Sequence, residues 1–280
     1  MKRDERGEEP EAGGRPAFEA LADAELVEIL ASAGLDVPEG LAREVVRRRD
    51  RMVLPLSRLL LDTDAWEADE RGFWAAVHAL YLLAAIGTPA VAGPLVELLR
   101  LDPGWEFLFD AMPTALGRAG RAALEPLEVY LRDASAPAPL RGGVAVSALV
   151  RIGHDDPELR PRVSAALAEV LRTAEPETAS YAAARSACVD DPVVRQAIDA
   201  AFERAGIDGR ILSREQVSSI RAECDPWRSP RAERDPLHHF TPRNLAYLKS
   251  LLELDEPASS TGRAPDRSRR PKRKRGKNRR

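Results

Sequence analysis

The sequence predicts an all-α fold: a right-handed α-solenoid of about five helix pairs, flanked by atypical capping helices and followed by a Lys/Arg-rich tail. Three observations carry this expectation. Gly87, Gly120 and Gly153 recur at a spacing of 33 residues, each between two apolar stretches, and a fixed period of that length marks stacked two-helix units. No segment alternates apolar and polar residues with β-branched enrichment. The nearest candidate, Val144 to Ile152, lies where the repeat requires a helix. Aromatic residues make up only 5% of the chain against 44% hydrophobic, so Leu, Ala, Val and Ile must build the core, which suits close helix packing.

Taken in chain order, residues 1–16 are charged and acidic and hold too little apolar surface for a core. Phe18 to Ala33 reads as an amphipathic leading helix through Ala22, Leu26, Ile29 and Leu30. Pro55-Leu56-Ser57-Arg58-Leu59-Leu60 matches Pro94-Leu95-Val96-Glu97-Leu98-Leu99, which makes the earlier segment a degenerate first unit. Trp66 and Trp74 stand eight apart, the spacing of one helical face. Each repeat glycine is expected to close its helix at positive φ, with a proline supplying a fixed φ at the next start. Pro89 and Pro94 both qualify for that start.

A further unit is offset by 35 residues: Asp155-Asp156-Pro157 with Arg160 returns as Asp190-Asp191-Pro192 with Arg195. Asp156 and Asp191 are therefore expected N-caps before a proline at the first helical position. Val163, Ala166, Leu167, Val170 and Leu171 form one buried face, repeated in Val194, Ile198, Ala201 and Phe202. Ser213 and Gln216 make a capping box, with Val217 and Ile220 inward. After the Pro-punctuated stretch Cys224 to Phe240, Thr241 caps a last helix with Leu245, Leu248, Leu251 and Leu252 as its apolar face. The expected organisation is an acidic disordered 1–16, repeats over 17–205, capping helices and linker over 206–254, and a disordered basic tail over 255–280.

Charge is distributed unevenly. The chain carries net −3, yet residues 263–280 hold eleven basic side chains against Asp266, leaving 31 cations and 44 acids, net −13, in the rest. Such a tail can follow a polyanion through Arg269, Arg270, Lys272, Arg273, Lys274, Arg275, Lys277, Arg279 and Arg280. Residues 1–15 contain no apolar core of a leader, and the longest apolar stretch, 73–87, is broken by His78. A soluble cytoplasmic protein without membrane contact is expected. Cys188 and Cys224, 36 residues apart with no C-x-x-C pair, are expected as reduced thiols. Arg- and Ala-rich usage is what a high-GC bacterial source gives.

At this point the residues carry a resemblance. The helix pairs with Ile86-Gly87 or Ala119-Gly120 before a Pro-containing second helix resemble HEAT repeats, an armadillo-type fold, over roughly residues 40–205. The stretch from Asp235 to Leu248 resembles the end of uncharacterised bacterial HEAT-type proteins, many of which continue into a Cys-rich zinc segment, the SEC-C motif. The basic tail here has no Cys, so no metal is implied. HEAT motifs specify fold far better than function.

Enzymes on HEAT-like scaffolds test the catalytic reading. A deoxyhypusine hydroxylase-like enzyme needs several His-Glu dipeptides, and this chain has none. His78, His154, His238 and His239 are read as structural or surface residues, with His238-His239 a weak adventitious metal candidate. HEAT-like alkylpurine DNA glycosylases use aromatic residues and an acid in a basic groove. The matching residues here are Trp66, Trp74, Trp105 and Asp110 with Arg43, Arg47, Arg48, Arg49 and Arg51, but the acidic body argues against phosphate contact. The acids Asp62, Asp64, Glu67, Asp69 and Glu70 are read first as helix-capping groups. No catalytic residue, metal ligand or cofactor is assigned. The leading expectation is a non-enzymatic scaffold that receives a protein partner on its concave face through Trp105, Phe107, Phe109 and Asp110. The alternative is a nucleic-acid-associated protein using the tail.

Overall fold

The structure, a computed structural model, describes residues 18–104, 106–224, 227 and 235–255. Every regular element among them is helical. The leading segment divides in two, a 3-10 turn over Phe18–Ala20 and then α1 (Asp23–Ser32). Ala22 sits at its N-cap, where its backbone N–H donates to the Glu25 carboxylate at 2.6 Å, and Leu26 and Leu30 are buried. Then come α2 (Glu39–Arg47), α3 (Asp50–Leu60), the short α4 (Thr63–Ala68) and the long α5 (Glu70–Ile86). Asp62 caps α4 by accepting from the Ala65 N–H at 3.1 Å, and Asp69 caps α5 through the Gly72 N–H at 2.9 Å. Two of the clustered acids therefore act as caps. Asp69 is extended and ends α4, so Trp66 and Trp74 belong to different helices and do not share the face that their spacing predicts.

Beyond α5 the chain continues as α6 (Ala92–Leu101), α7 (Phe107–Ala119), α8 (Arg121–Arg132), α9 (Val146–Asp155), α10 (Arg160–Thr173), α11 (Pro176–Ser186) and α12 (Pro192–Glu203). Pro89, not Pro94, opens the route into α6, through a 3-10 turn over Pro89–Val91. A π-helical turn, Pro139–Ala145, leads into α9, so the one strand candidate is helical. Each of these helices packs on the next but one. α5 lies on α7, α7 on α9 and α9 on α11; α6 lies on α8, α8 on α10 and α10 on α12.

Bonds between successive units fall near the sequence period. The Tyr130 hydroxyl donates to the Leu99 carbonyl at 3.2 Å, and the Arg118 guanidinium reaches the Ala84 and Ala85 carbonyls at 3.3 Å. Arg162 forks onto Glu128 at 2.7 and 2.9 Å. Arg204 donates to the Leu171 carbonyl. Arg141 is buried and binds both Glu175 and Thr178. Where helices approach most closely a glycine stands. A Cβ at Gly142 would lie 2.3 Å from the Thr178 carbonyl oxygen.

The local signals at helix ends hold. Asp156 accepts from the Glu158 N–H at 3.1 Å, and Asp191 from the Val193 N–H at 2.8 Å. Ser213 and Gln216 exchange bonds at 3.2 and 2.7 Å to open α13 (Arg214–Glu223). Gly87 and Gly120 end their helices at φ of +58° and +61°. Gly153 departs from the pattern. It lies inside α9 without positive φ, and its missing Cβ is used for packing, since a Cβ there would come within 2.3 Å of the Trp227 ring.

The two cysteines, expected as thiols, form a disulfide between Cys188 and Cys224 with Cα atoms 5.8 Å apart. It joins the chain just after α11 to the end of α13, a proximity that only tertiary folding creates. Residues through Leu245 make one compact unit. The second unit begins at Ala246, and its described part is the later portion of α14 (Pro242–Asp255), whose first turn Thr241 caps through the Asn244 N–H at 3.4 Å. Leu251, expected on the inward face of α14, is 40% exposed, and Tyr247 is 59% exposed.

Gly153→Ala places a methyl in the indole's space and should destabilise the fold by about 1–3 kcal/mol, as overpacked sites do. Gly93→Ala, where nothing lies within 4 Å, should be neutral or slightly stabilising because Ala favours a helix interior by up to about 1 kcal/mol. Chemical denaturation of the two variants separates these outcomes.

Candidate functional site

The most chemically distinctive region is an aromatic cluster on α5. Its helical spacing sets Trp74, His78 and Tyr81 near one another, and Trp74 is fixed by its Nε1–H to Glu70 at 3.2 Å. The Phe107 ring from α7 joins them, 5.9 Å from Trp74, 6.3 Å from Phe73 and 6.4 Å from Tyr81 between centroids. Edge and tilted geometries of this kind add modestly to the area that the rings bury.

The C-terminal segment completes the cluster. Asp235 caps a 3-10 turn over Pro236–Phe240 that packs against α2 and α5. Phe240 is fully buried. The His239 ring stacks on Tyr81 with centroids 3.9 Å apart and planes 5° apart. His239 Nε2 lies 3.0 Å from His78 Nδ1, and His78 Nε2 lies 2.8 Å from the Gly34 carbonyl oxygen. Both imidazoles are buried. The carbonyl can only accept, so His78 Nε2 carries a proton, and because burial disfavours a second proton on the ring its Nδ1 accepts from His239 Nε2–H. The pair is therefore neutral. Burial pushes His78 down to about 4, with the Gly34 bond opposing it. Burial also drives His239 well below the usual histidine range, with His78 and His238 adding to it.

A second anchor of the same segment is Trp227. Its indole is buried against Gly153, the Arg160 guanidinium stands 5.1 Å from the ring centroid, and Arg160 Nε donates to the Gly153 carbonyl at 2.9 Å. The Trp227 N–H donates to the Cys188 carbonyl at 2.9 Å. Its φ of +65° is strained for a bulky residue and is sustained by the packing around it.

The residues singled out from sequence divide between environments. Phe107 and Phe109 are half-buried and Asp110 is exposed; Trp105 lies outside the described residues. Phe107 joins the α5 cluster, whereas Phe109 turns toward Gly143, where a Cβ would meet its ring at 3.6 Å. The nine tail cations also lie outside the described residues. Four of the five arginines once set against a glycosylase groove are engaged by carboxylates: Arg43 with Glu39, Arg47 with Glu44, Arg48 with Glu44 and Asp23, and Arg51 with Asp23. Hydrogen bonds from Arg47 and Arg48 hold the buried Glu44 carboxyl below its ordinary range. His238 is exposed, while His239 spends its Nε2 on His78, so the two do not act as a ligand pair. Among the described residues no three His, Cys, Asp or Glu side chains converge as a metal site.

An open groove of about 550 Å³ follows one flank of α12 between Pro192 and Glu203. Its charged groups, Arg195, Asp199 and Glu203, lie along a single helix. Sequence reasoning missed Tyr81, Trp227 and the His78–His239 bond. The available signal was a Pro-rich stretch that nevertheless contains Trp227 and His239-Phe240, apolar groups that a free linker does not need. Compared with protein-family models, with curated proteins and with solved structures, the chain matches none.

The buried neutral pair sets a pH dependence. Its native state binds fewer protons than the unfolded chain below the ordinary histidine value of 6.5, so its contribution is complete above that pH and is lost as pH falls toward 4. At about 1.4 kcal/mol per unit, the His78 shift alone corresponds to about 3 kcal/mol. Urea unfolding at pH 7.5 and pH 5 should show this loss. The double variant His78→Leu with His239→Leu, which removes both partners together, should flatten it.

Proposed function

We propose that the chain is a non-enzymatic scaffold, a HEAT-like α-solenoid whose row of helices α5, α7, α9 and α11 receives a protein segment. The observation that carries this reading is the regular packing of each helix on the next but one, tied at the repeat period by Arg118, Arg162 and Arg204. Stacking of this kind generates an extended surface without any catalytic group. The aromatic residues around Phe107 supply large rings at low entropic cost, the side chains that dominate protein interfaces. Exposed Asp110 beside them favours a partner with a basic group.

The test is selection of displayed peptides of about fifteen residues against the full chain. Phe107→Ala and Asp110→Lys should each weaken capture by tenfold or more while the urea midpoint of Asp110→Lys stays unchanged. Equal capture by both variants, or no selected peptide, rejects the reading.

A second reading is favoured by the +10 tail over residues 263–280: association with nucleic acid, with the tail supplying affinity and the helical body supplying position. Binding of a single-stranded oligonucleotide should then weaken with salt, by about 0.7 in logarithmic slope for each phosphate engaged. Deleting residues 263–280 should abolish that slope. A cytoplasmic location, the expectation for this chain, requires the Cys188–Cys224 bond to be reversible, because cytoplasmic disulfides are generally transient.

A further inference from the structure

The helical register of α5 and α7 brings aromatic rings and carboxylates together. The two helices pack on each other, and the rings of Phe73, Tyr81 and Phe107 are each half-buried, with part of their surface in solvent. Phe107 is inclined at 53° to Phe73 and at 78° to Tyr81, so the rings stand as inclined walls and not as a flat stack. Carboxylates rim them. Glu70 lies one turn before Trp74 and accepts its indole N–H, Glu106 directly precedes Phe107, and Asp110 follows Phe107 by three positions, which places it on the same side of α7. All three carboxylates are exposed, and among the described residues none is bridged by a cation. On α2, α8 and α10, by contrast, acids are matched: Glu39 by Arg43, Glu128 by Arg162 and Glu169 by Arg172. Arg71, beside Glu70 in sequence, lies against Gly34, where a Cβ would meet its Cγ at 4.0 Å.

We propose that this aromatic, acid-rimmed corner of α5 and α7 is a seat for the arginine side chain of a partner peptide. The proposal rests on the scaffold reading and names the group by which that partner is held. An apolar side chain uses the rings but draws water away from carboxylates that it cannot compensate, which is costly. A cation uses both, because it is attracted to the negative faces of the rings and to the acids beside them. Of the two common side-chain cations the guanidinium is the flatter and the more weakly hydrated, so it can lie on a ring and still direct paired N–H groups at a carboxylate. Seated on Phe107, it forks onto Asp110, with Glu70 and Glu106 adding charge from farther off. The walls are set before the ligand arrives. His239 stacks on Tyr81 with centroids 3.9 Å apart, and the buried Trp74 packs on Phe107 at 5.9 Å, so little ordering is left for binding to supply.

The experiment uses the full chain and the displayed peptides selected on it, which are expected to share an arginine at one fixed position. Replacing that arginine with citrulline, which keeps the planar shape and loses the charge, should weaken binding by roughly tenfold or more, and replacing it with lysine by about threefold. Asp110→Asn should weaken the arginine peptide by roughly tenfold, leave the citrulline peptide nearly unchanged and leave the urea midpoint where it is. Phe107→Leu, which keeps apolar bulk and removes the ring face, should lower arginine binding by about threefold. Arginine and citrulline peptides that respond alike to Asp110→Asn, or selected peptides without a fixed arginine, overturn the seat and leave the scaffold reading standing. Equal binding of the lysine peptide overturns the choice of guanidinium. If no peptide is captured the scaffold reading falls, and the seat is read directly by NMR: Nα-acetyl-arginine amide, and not its citrulline analogue, should shift the ring resonances of Phe107 and Tyr81 in the full chain. No shift, or equal shifts with both compounds, overturns it.

Discussion

The structure depends on close approach between helices, each from α5 to α10 packing on the next but one. A core made of Leu, Ala, Val and Ile, with few rings to fill wide gaps, must bring helices close, and close approach is limited by the smallest residue at each crossing. Glycine sets that limit. Gly142 lets the π-helical turn reach the backbone of α11, Gly117 admits Arg151 from α9 and Gly87 admits Arg118 from α7. At the α5–α7 junction the arginine that enters also binds backbone carbonyls that the end of α5 leaves without helical donors, so a single contact both positions the next helix and satisfies the previous one.

Charge follows the same logic of neighbours. Exposed pairs such as Arg100 with Glu97 contribute little. Arg48 and Arg141 are different, because each is almost fully buried and each is surrounded by acceptors: Arg48 by Glu44, Asp23 and the carbonyls of Phe18 and Leu21, Arg141 by Glu175, Thr178 and the Asp133 carbonyl. Removing one acceptor leaves a buried charge uncompensated, a far larger effect than the pair's net worth. These two residues hold the α1–α3 corner and the start of α9 in place.

Local chemistry was legible in the sequence, and long-range partners were not. Asp156, Asp191 and the Ser213–Gln216 box cap helices because each acts on backbone within three residues. Gly87 and Gly120 close helices for the same reason. Gly153 carries the same spacing and a different task, because its purpose is set by Trp227, far along the chain. The cysteines and the two buried histidines escaped for that reason too: their partners are chosen by the fold of everything between them. One periodic signal was present but unread. Arg118 and Arg151, two residues before Gly120 and Gly153, repeat at 33 residues, and the structure sets each against a glycine of the preceding unit.

The bond between His78 and His239 spans 161 residues, and this separation governs the order of assembly during synthesis. Helices α2 and α5 emerge early and can pack locally, but the side chains that fill their pocket are made 161 residues after His78. At about 5–20 residues per second, the pocket stays open for roughly ten to thirty seconds after His78 is made. A nascent chain therefore presents Trp74, Tyr81 and the unfilled seat of Phe240 throughout that interval, as a sticky surface. In the folded chain His239 and Phe240 fill that seat, so these two residues contribute to safe folding as well as to the final state.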